Sequence, residues 1–205
     1  MTTFLTVPGL FNSGPDHWQT HWERQLPNMI RIHQRDYENA VCSEWVETIE
    51  AAVAKHGTDV VLVGHSCGSI AIPHWAARYP QKIKGAMLVG PSDVEHPDFP
   101  KNAVGFKPVP LEKLPFPSLV VASSEDPYIA LERAEYFARC WGSELVNIGP
   151  AGHINAASGY WEVGRRCGAV EGDGVTAKET AGPSTTRLRR SGRDDGAEVA
   201  HITKG

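Results

Sequence analysis

Two hydrophobic patterns alternate along this chain. Short, mostly apolar runs occur at Phe4-Leu5-Thr6-Val7, Met29 to Ile32, Val60-Val61-Leu62-Val63, Ala86-Met87-Leu88-Val89, Leu119-Val120-Val121-Ala122 and Glu144 to Ile148. Runs of this length and kind predict strands, several of them buried on both faces. Between them, apolar residues recur every three or four positions: Trp18 and Trp22; Trp45, Ile49, Ala52 and Val53; Ala71, Trp75 and Ala76; Leu131, Ala134, Phe137 and Trp141. That spacing predicts helices with one face on a sheet. Pro15 is placed to open the first helix and Pro27 to stop it, Ser43 to cap the second, and Gly57 and Gly142 to end the second and the last. Strands alternating with helices predict an α/β fold: a mostly parallel, doubly wound sheet with helices on both faces. Right-handed crossovers then gather the loops that follow the strands along one edge.

Two stretches depart from the alternation. Residues 91–117 hold seven prolines, which exclude a long helix or a central strand and predict a loop over the carboxyl edge of the sheet. Its Phe99, Phe106, Val109, Leu111 and Leu114 either wall a pocket or cover the core. After Glu162 the stripes vanish and Gly, Thr, Ser and Arg predominate. The expected division is a compact domain over 1–162 and a flexible tail over 163–205.

Composition narrows the partners. The 205 residues suit one domain, and a net charge of −4 offers no footprint for nucleic acid or acidic membranes. A small-molecule or neutral substrate is the better expectation. No apolar run approaches the roughly 20 residues needed to span a bilayer, and no basic, apolar leader precedes Thr3. Cys42, Cys67, Cys140 and Cys167 are widely spaced, without a Cys-x-x-Cys pair. Reduced thiols in a reducing compartment, the cytoplasm, are the expectation. His17 and His21 stand four apart, but the triplet between them is Trp-Gln-Thr, with no glutamate to serve as a base. They read as helix-surface or loop-anchoring residues, and no metal is implied.

The chemistry centres on Gly64-His65-Ser66-Cys67-Gly68, which lies between a predicted strand and a predicted helix. This fits the Gly-x-Ser-x-Gly nucleophile elbow, a sharp turn that exposes a serine hydroxyl at the carboxyl end of a strand. The amide of Cys67, at the start of the helix, would point at the same space, and the loop after Pro8-Gly9 would bring a second N–H, that of Leu10, to hold an oxyanion. Asp126 follows another strand, in Ser123-Ser124-Glu125-Asp126-Pro127, and His153 another, in Gly149-Pro150-Ala151-Gly152-His153. Glu125 is the alternative acid, and His65 and His96 are the alternative bases, with Asp126 and His153 better placed just past strands. An unactivated serine is a poor nucleophile, so Ser66 requires the base and the base requires an orienting acid. Phe11, His65, Phe99 and Phe106 are the candidate pocket residues.

Together these residues resemble the small serine hydrolases of the retinoblastoma-binding-protein and YdeN type, within the α/β-hydrolase superfamily. The resemblance rests on Pro8-Gly9, Ser13 and His17-Trp18, on the elbow, on Ser123 to Pro127, and on Gly152-His153-Ile154-Asn155. It implies an α/β-hydrolase fold without a large cap domain, Ser66, Asp126 and His153 as a catalytic triad, no cofactor, and activity on small acyl esters. The family pattern ends in an apolar helix, which this chain replaces with its polar tail, through a native tail, a change of reading frame or a fusion. The expected function is a carboxylesterase working through an acyl-enzyme. The alternative is a protein-binding module on the same fold.

Overall fold

In the computed structural model, Val60–His65 (β3) lies third in a six-stranded sheet of order β2-β1-β3-β4-β5-β6. The other strands are β1 (Thr3–Val7), β2 (Met29–Arg31), β4 (Gly85–Val89), β5 (Ser118–Ala122) and β6 (Glu144–Asn147). Every neighbouring pair runs parallel. The structure describes residues 1–79 and 81–159, together with four short strands further on: β7 (Val163–Gly164), β8 (Val175–Lys178), β9 (Thr186–Arg190) and β10 (His201–Ile202). These four pair antiparallel in the order β7-β10-β9-β8. The rest of the predicted tail lies outside the described residues.

Alternation along the strands divides the core into two. Leu5, Val7, Leu62, Leu88 and Val120 face one side, where they meet α2 (Cys42–His56), α3 (Cys67–Arg78) and α4 (Leu131–Trp141). Phe4, Val61, Val63, Met87, Val89, Leu119 and Val121 face the other, with Trp18 and Trp22 of α1 (Trp18–Gln25). All six residues of β3 are buried, as its unbroken apolar run requires. The fold is that of an α/β-hydrolase, and among the described residues no large cap covers it.

The chain leaves β1 toward β2 on one side and returns to β3 on the other, so the direction of winding reverses between β1 and β3. A reversal of this kind opens a crevice at the carboxyl ends of the two strands. The Pro8-Gly9-Leu10 loop and the elbow both lie at that crevice.

Helix ends differ from the sequence expectation where long-range contacts take over. Val41, not Ser43, is the N-cap of α2, and the Cys42 N–H donates to the Val104 carbonyl at 3.0 Å. The proline-rich loop thus satisfies an end that a serine hydroxyl was expected to serve. His17, two residues past Pro15, caps α1, its Nδ1 accepting from the Gln19 N–H at 3.2 Å. Gly57 and Gly142 end α2 and α4 as predicted, Gly142 in the left-handed region.

Residues 91–117 form no helix or strand beyond a single bridge from Val104 to Val41. The segment divides its work. Ser92, Asp93, His96, Asp98, Phe99 and Pro100 border the crevice, whereas Phe106, Val109, Leu114 and Phe116 are buried in the core beside α2, α3 and α4.

Candidate active site

Ser66 occupies φ 57°, ψ −125°, a left-handed conformation that costs a non-glycine residue roughly 1–3 kcal/mol. Packing around the elbow enforces it. A β-carbon at Gly68 would stand 2.1 Å from the Val7 carbonyl oxygen, and one at Gly64 would stand 2.8 Å from Ser69 Cα. Only glycines let β3, α3 and β1 close on the turn. The Ser66 N–H donates to the Val89 carbonyl at 2.9 Å, and the Ser69 hydroxyl donates to the same oxygen at 3.0 Å, tying the elbow to β4.

The hydroxyl held in this way meets two groups from distant parts of the chain. His153 Nε2 lies 2.8 Å from Ser66 Oγ, and His153 Nδ1 lies 2.9 and 2.8 Å from the two carboxylate oxygens of Asp126. The Asp126 side chain is fully buried, and its Oδ1 also accepts from the Tyr128 N–H at 2.9 Å. Glu125, the alternative acid, is exposed. With Nδ1–H given to the carboxylate, Nε2 is left bare to accept the Ser66 proton. The arrangement can therefore move a proton from the hydroxyl to the imidazole.

Three contacts fix the His153 loop. His65 Nε2–H donates to the His153 carbonyl at 2.9 Å, Trp18 Nε1–H donates to the Ile154 carbonyl at 2.9 Å, and the His153 N–H donates to Ser158 Oγ at 3.0 Å. His65 is thus more than a spacer within the elbow. Its ring packs between those of His17 and His153, with centroids 4.6 and 4.9 Å away.

Burial, helped by the Arg31 guanidinium, depresses the His17 pKa to about 3. Burial likewise holds His65 well below the ordinary imidazole range. Both rings are neutral at physiological pH, so the floor of the crevice carries N–H groups and lone pairs rather than charge. His17 Nε2 is buried without a hydrogen-bond partner among the described residues. Among the described residues no group of three His, Cys, Asp or Glu side chains could hold a metal ion.

A cavity of about 680 Å³ opens over Ser66. Of the predicted pocket residues, Phe11, His65 and Phe99 line it. Phe106 does not: it is 1% exposed, with its ring edge-on to Trp45, because the loop turns inward there to pack on α2. Ser92, Tyr128, Asp93, Asp98 and His96 also border the cavity, and among the described residues no lysine or arginine does. Sequence reasoning passed over Ser92 and Tyr128. Ser92 Oγ lies 3.0 Å from Ser66 Oγ, and the Tyr128 ring stands 4.5 Å from that of His153. Ser92 carried the same signal as the other site residues, a polar side chain just past a strand.

Leu10 lines the cavity, and its N–H makes no hydrogen bond among the described residues. Cys67 is the first residue of α3, where N–H groups lack an intrahelical acceptor. The Cys67 thiol itself is fully buried, and burial pushes its pKa up, as it pushes that of Cys42 to about 12. A thiol so placed is inert.

A parallel sheet carrying an elbow serine, a strand-end aspartate and a strand-end histidine defines the class of α/β serine hydrolases. The serine hydrolase family profile matches residues 4–167, and the chain belongs to that family. It is similar to a YdeN-like hydrolase from Pectobacterium atrosepticum, with 38% identity and a TM-score of 0.68 over 78% of this chain and 83% of that one. It also shares its fold with the ydeN gene product of Bacillus subtilis, at 17% identity and a TM-score of 0.63 over 78% and 91% of the two chains. Est1E from Butyrivibrio proteoclasticus follows at 18% and 0.57 over 74% and 80%. No curated protein matches the chain. Among the described residues no helix is long and apolar enough to cross a membrane.

Proposed function

We propose that this hydrolase is a carboxylesterase that cleaves small, uncharged acyl esters through an acyl-enzyme on Ser66. The observation that carries the reading is the continuous hydrogen-bonded line from Ser66 Oγ through His153 to the buried Asp126. In the first half-reaction Ser66 Oγ attacks the ester carbonyl while His153 Nε2 takes its proton. Asp126 keeps the ring in the tautomer that leaves Nε2 bare and stabilises the imidazolium that forms. The amides of Cys67 and Leu10 hold the tetrahedral oxyanion, and the imidazolium returns its proton to the departing alcohol. Water then attacks the acyl-enzyme with His153 as base, and the acid leaves as the proton returns to Ser66.

The cavity supports the choice of substrate. Leu10, Phe11, Phe99 and Ile129 offer apolar wall for an acyl chain. The carboxylates of Asp93 and Asp98, with no lysine or arginine bordering the cavity among the described residues, disfavour an acyl group that bears its own negative charge.

Ser66→Ala is the test. It should lower turnover of a p-nitrophenyl ester by about 10⁴-fold or more with an unchanged circular dichroism spectrum, and a fluorophosphonate probe should label the wild-type protein at Ser66. Retained turnover in the variant would refute the assignment. A folded wild-type protein that stays unlabelled would favour a binding module instead.

A further inference from the structure

Ser92 joins the nucleophile from the side opposite the Leu10 loop. It follows β4 after Gly90-Pro91, whereas Leu10 follows β1, and β3 with its elbow runs between those two strands. The residue is 6% exposed, and its Oγ is 3.0 Å from Ser66 Oγ.

Counting protons gives that contact a direction. A hydroxyl has one hydrogen to donate and two lone pairs. His153 spends Nδ1–H on Asp126, so Nε2 accepts, and the single Ser66 proton goes to Nε2 at 2.8 Å. Ser66 then has nothing left for Ser92, and Ser92 must be the donor. The opposite direction would need a proton on both ring nitrogens, and an imidazolium has no lone pair left to act as the base.

The four tetrahedral directions at Ser66 Oγ are therefore assigned: the bond to Cβ, the proton toward His153, one lone pair toward Ser92, and one lone pair that is free. We propose that Ser92 is a positioning residue for the hydrolysis assigned above, on which this inference rests. By occupying one lone pair it leaves a single direction for attack. Its hydroxyl also keeps donating to Oγ as that oxygen gains negative charge, both when it loses its proton during acylation and when it is expelled during deacylation. A hydrogen bond to an ionised oxygen is about twice as strong as one to a neutral oxygen, so the contact tightens along the reaction coordinate. Stabilisation that grows toward the transition state raises kcat and leaves substrate binding unchanged.

The experiment compares wild type, Ser92→Ala and Ser92→Cys by p-nitrophenyl ester kinetics, by the rate of fluorophosphonate inactivation, and by thermal melting. Ser92→Ala should lower kcat by roughly 10- to 100-fold with KM within about twofold, and slow inactivation by a similar factor. Ser92→Cys, close in shape with a weaker donor, should fall between. A kcat within about threefold of wild type in both variants overturns the proposal, as does a loss confined to KM, which would make Ser92 only a wall of the pocket. If Ser92→Ala does not fold, the cysteine variant carries the comparison under the same criteria. Fluorophosphonate labelling of wild type at Ser66 separates the two inferences. A labelled enzyme indifferent to Ser92 sinks this one alone, and an unlabelled enzyme sinks both.

Discussion

Replacing Gly9 with alanine asks whether the loop after β1 really abuts the nucleophile. The Gly9 backbone lies outside the left-handed region, so alanine meets no conformational objection. Its β-carbon, however, would stand 2.7 Å from Ser66 Cβ, 3.1 Å from Ser66 Oγ and 3.1 Å from the His65 carbonyl oxygen. Carbon atoms in comfortable contact sit about 3.5–4.0 Å apart, so about 1 Å must be found. It can come from two places. If the elbow yields, Ser66 Oγ moves from its 2.8 Å contact with His153 Nε2 toward the limit of a useful hydrogen bond. If the loop yields, against the bonds from the Phe11 N–H to the Tyr37 carbonyl and from the Asn12 N–H to the Gly9 carbonyl, the Leu10 N–H withdraws from its proposed place at the oxyanion. A misplacement of that size costs about 100-fold in rate, and the overpacking costs about 1–3 kcal/mol of stability. The assay is kcat/KM on a p-nitrophenyl ester beside a thermal melt. Gly14→Ala is the matched control, because a β-carbon there meets nothing within 4 Å. A Gly9→Ala enzyme within about threefold of wild type, melting where wild type melts, would refute the packing of this loop against Ser66.

Three further predictions follow from the same geometry. Burial depresses the pKa of both His17 and His65, so the unfolded chain binds protons that the folded one refuses, and stability is lost as pH falls below about 6.5, for His17 down to about 3. Each histidine contributes a slope of up to about 1.4 kcal/mol per pH unit. Urea melts at about pH 7.5 and 5 check this, and equal stability at the two would contradict it. Asp126→Asn should leave the fold intact yet lower kcat by about 10⁴-fold, because an amide can stabilise the wrong imidazole tautomer; steady-state kinetics with a melt decide. An ester of a dicarboxylic acid bearing a free carboxylate should show kcat/KM at least about tenfold below that of a neutral ester of equal length, and parity would remove Asp93 and Asp98 from any part in selectivity.

The strand runs and helical stripes were legible because burial on both faces of a parallel sheet leaves a local signature, and each member of the Ser66, Asp126 and His153 constellation stands just past such a run. Phe106 was not legible in the same way. Two phenylalanines in one proline-rich loop, Phe99 and Phe106, look alike in sequence, and only the path of the chain sends one to the cavity and the other against Trp45. The start of α2 failed for a related reason: its first N–H is satisfied by Val104, about sixty residues away, where a local rule could see only Ser43. His65 lines the cavity, but its bond to the His153 carbonyl depends on two loops meeting, which no local pattern shows. Ser92 required both the strand order and the proton count before its place beside Ser66 acquired a meaning.

The loop bearing His153 is anchored by Trp18 from the first helix and by His65 from the third strand. A chain emerging from the ribosome therefore exposes its serine long before the residues that arm it. With Ser66 and His153 in the roles proposed above, the growing polypeptide is chemically silent until about Asn155 has been made and has docked against segments synthesised first, so that competence arrives only when its early and late portions join.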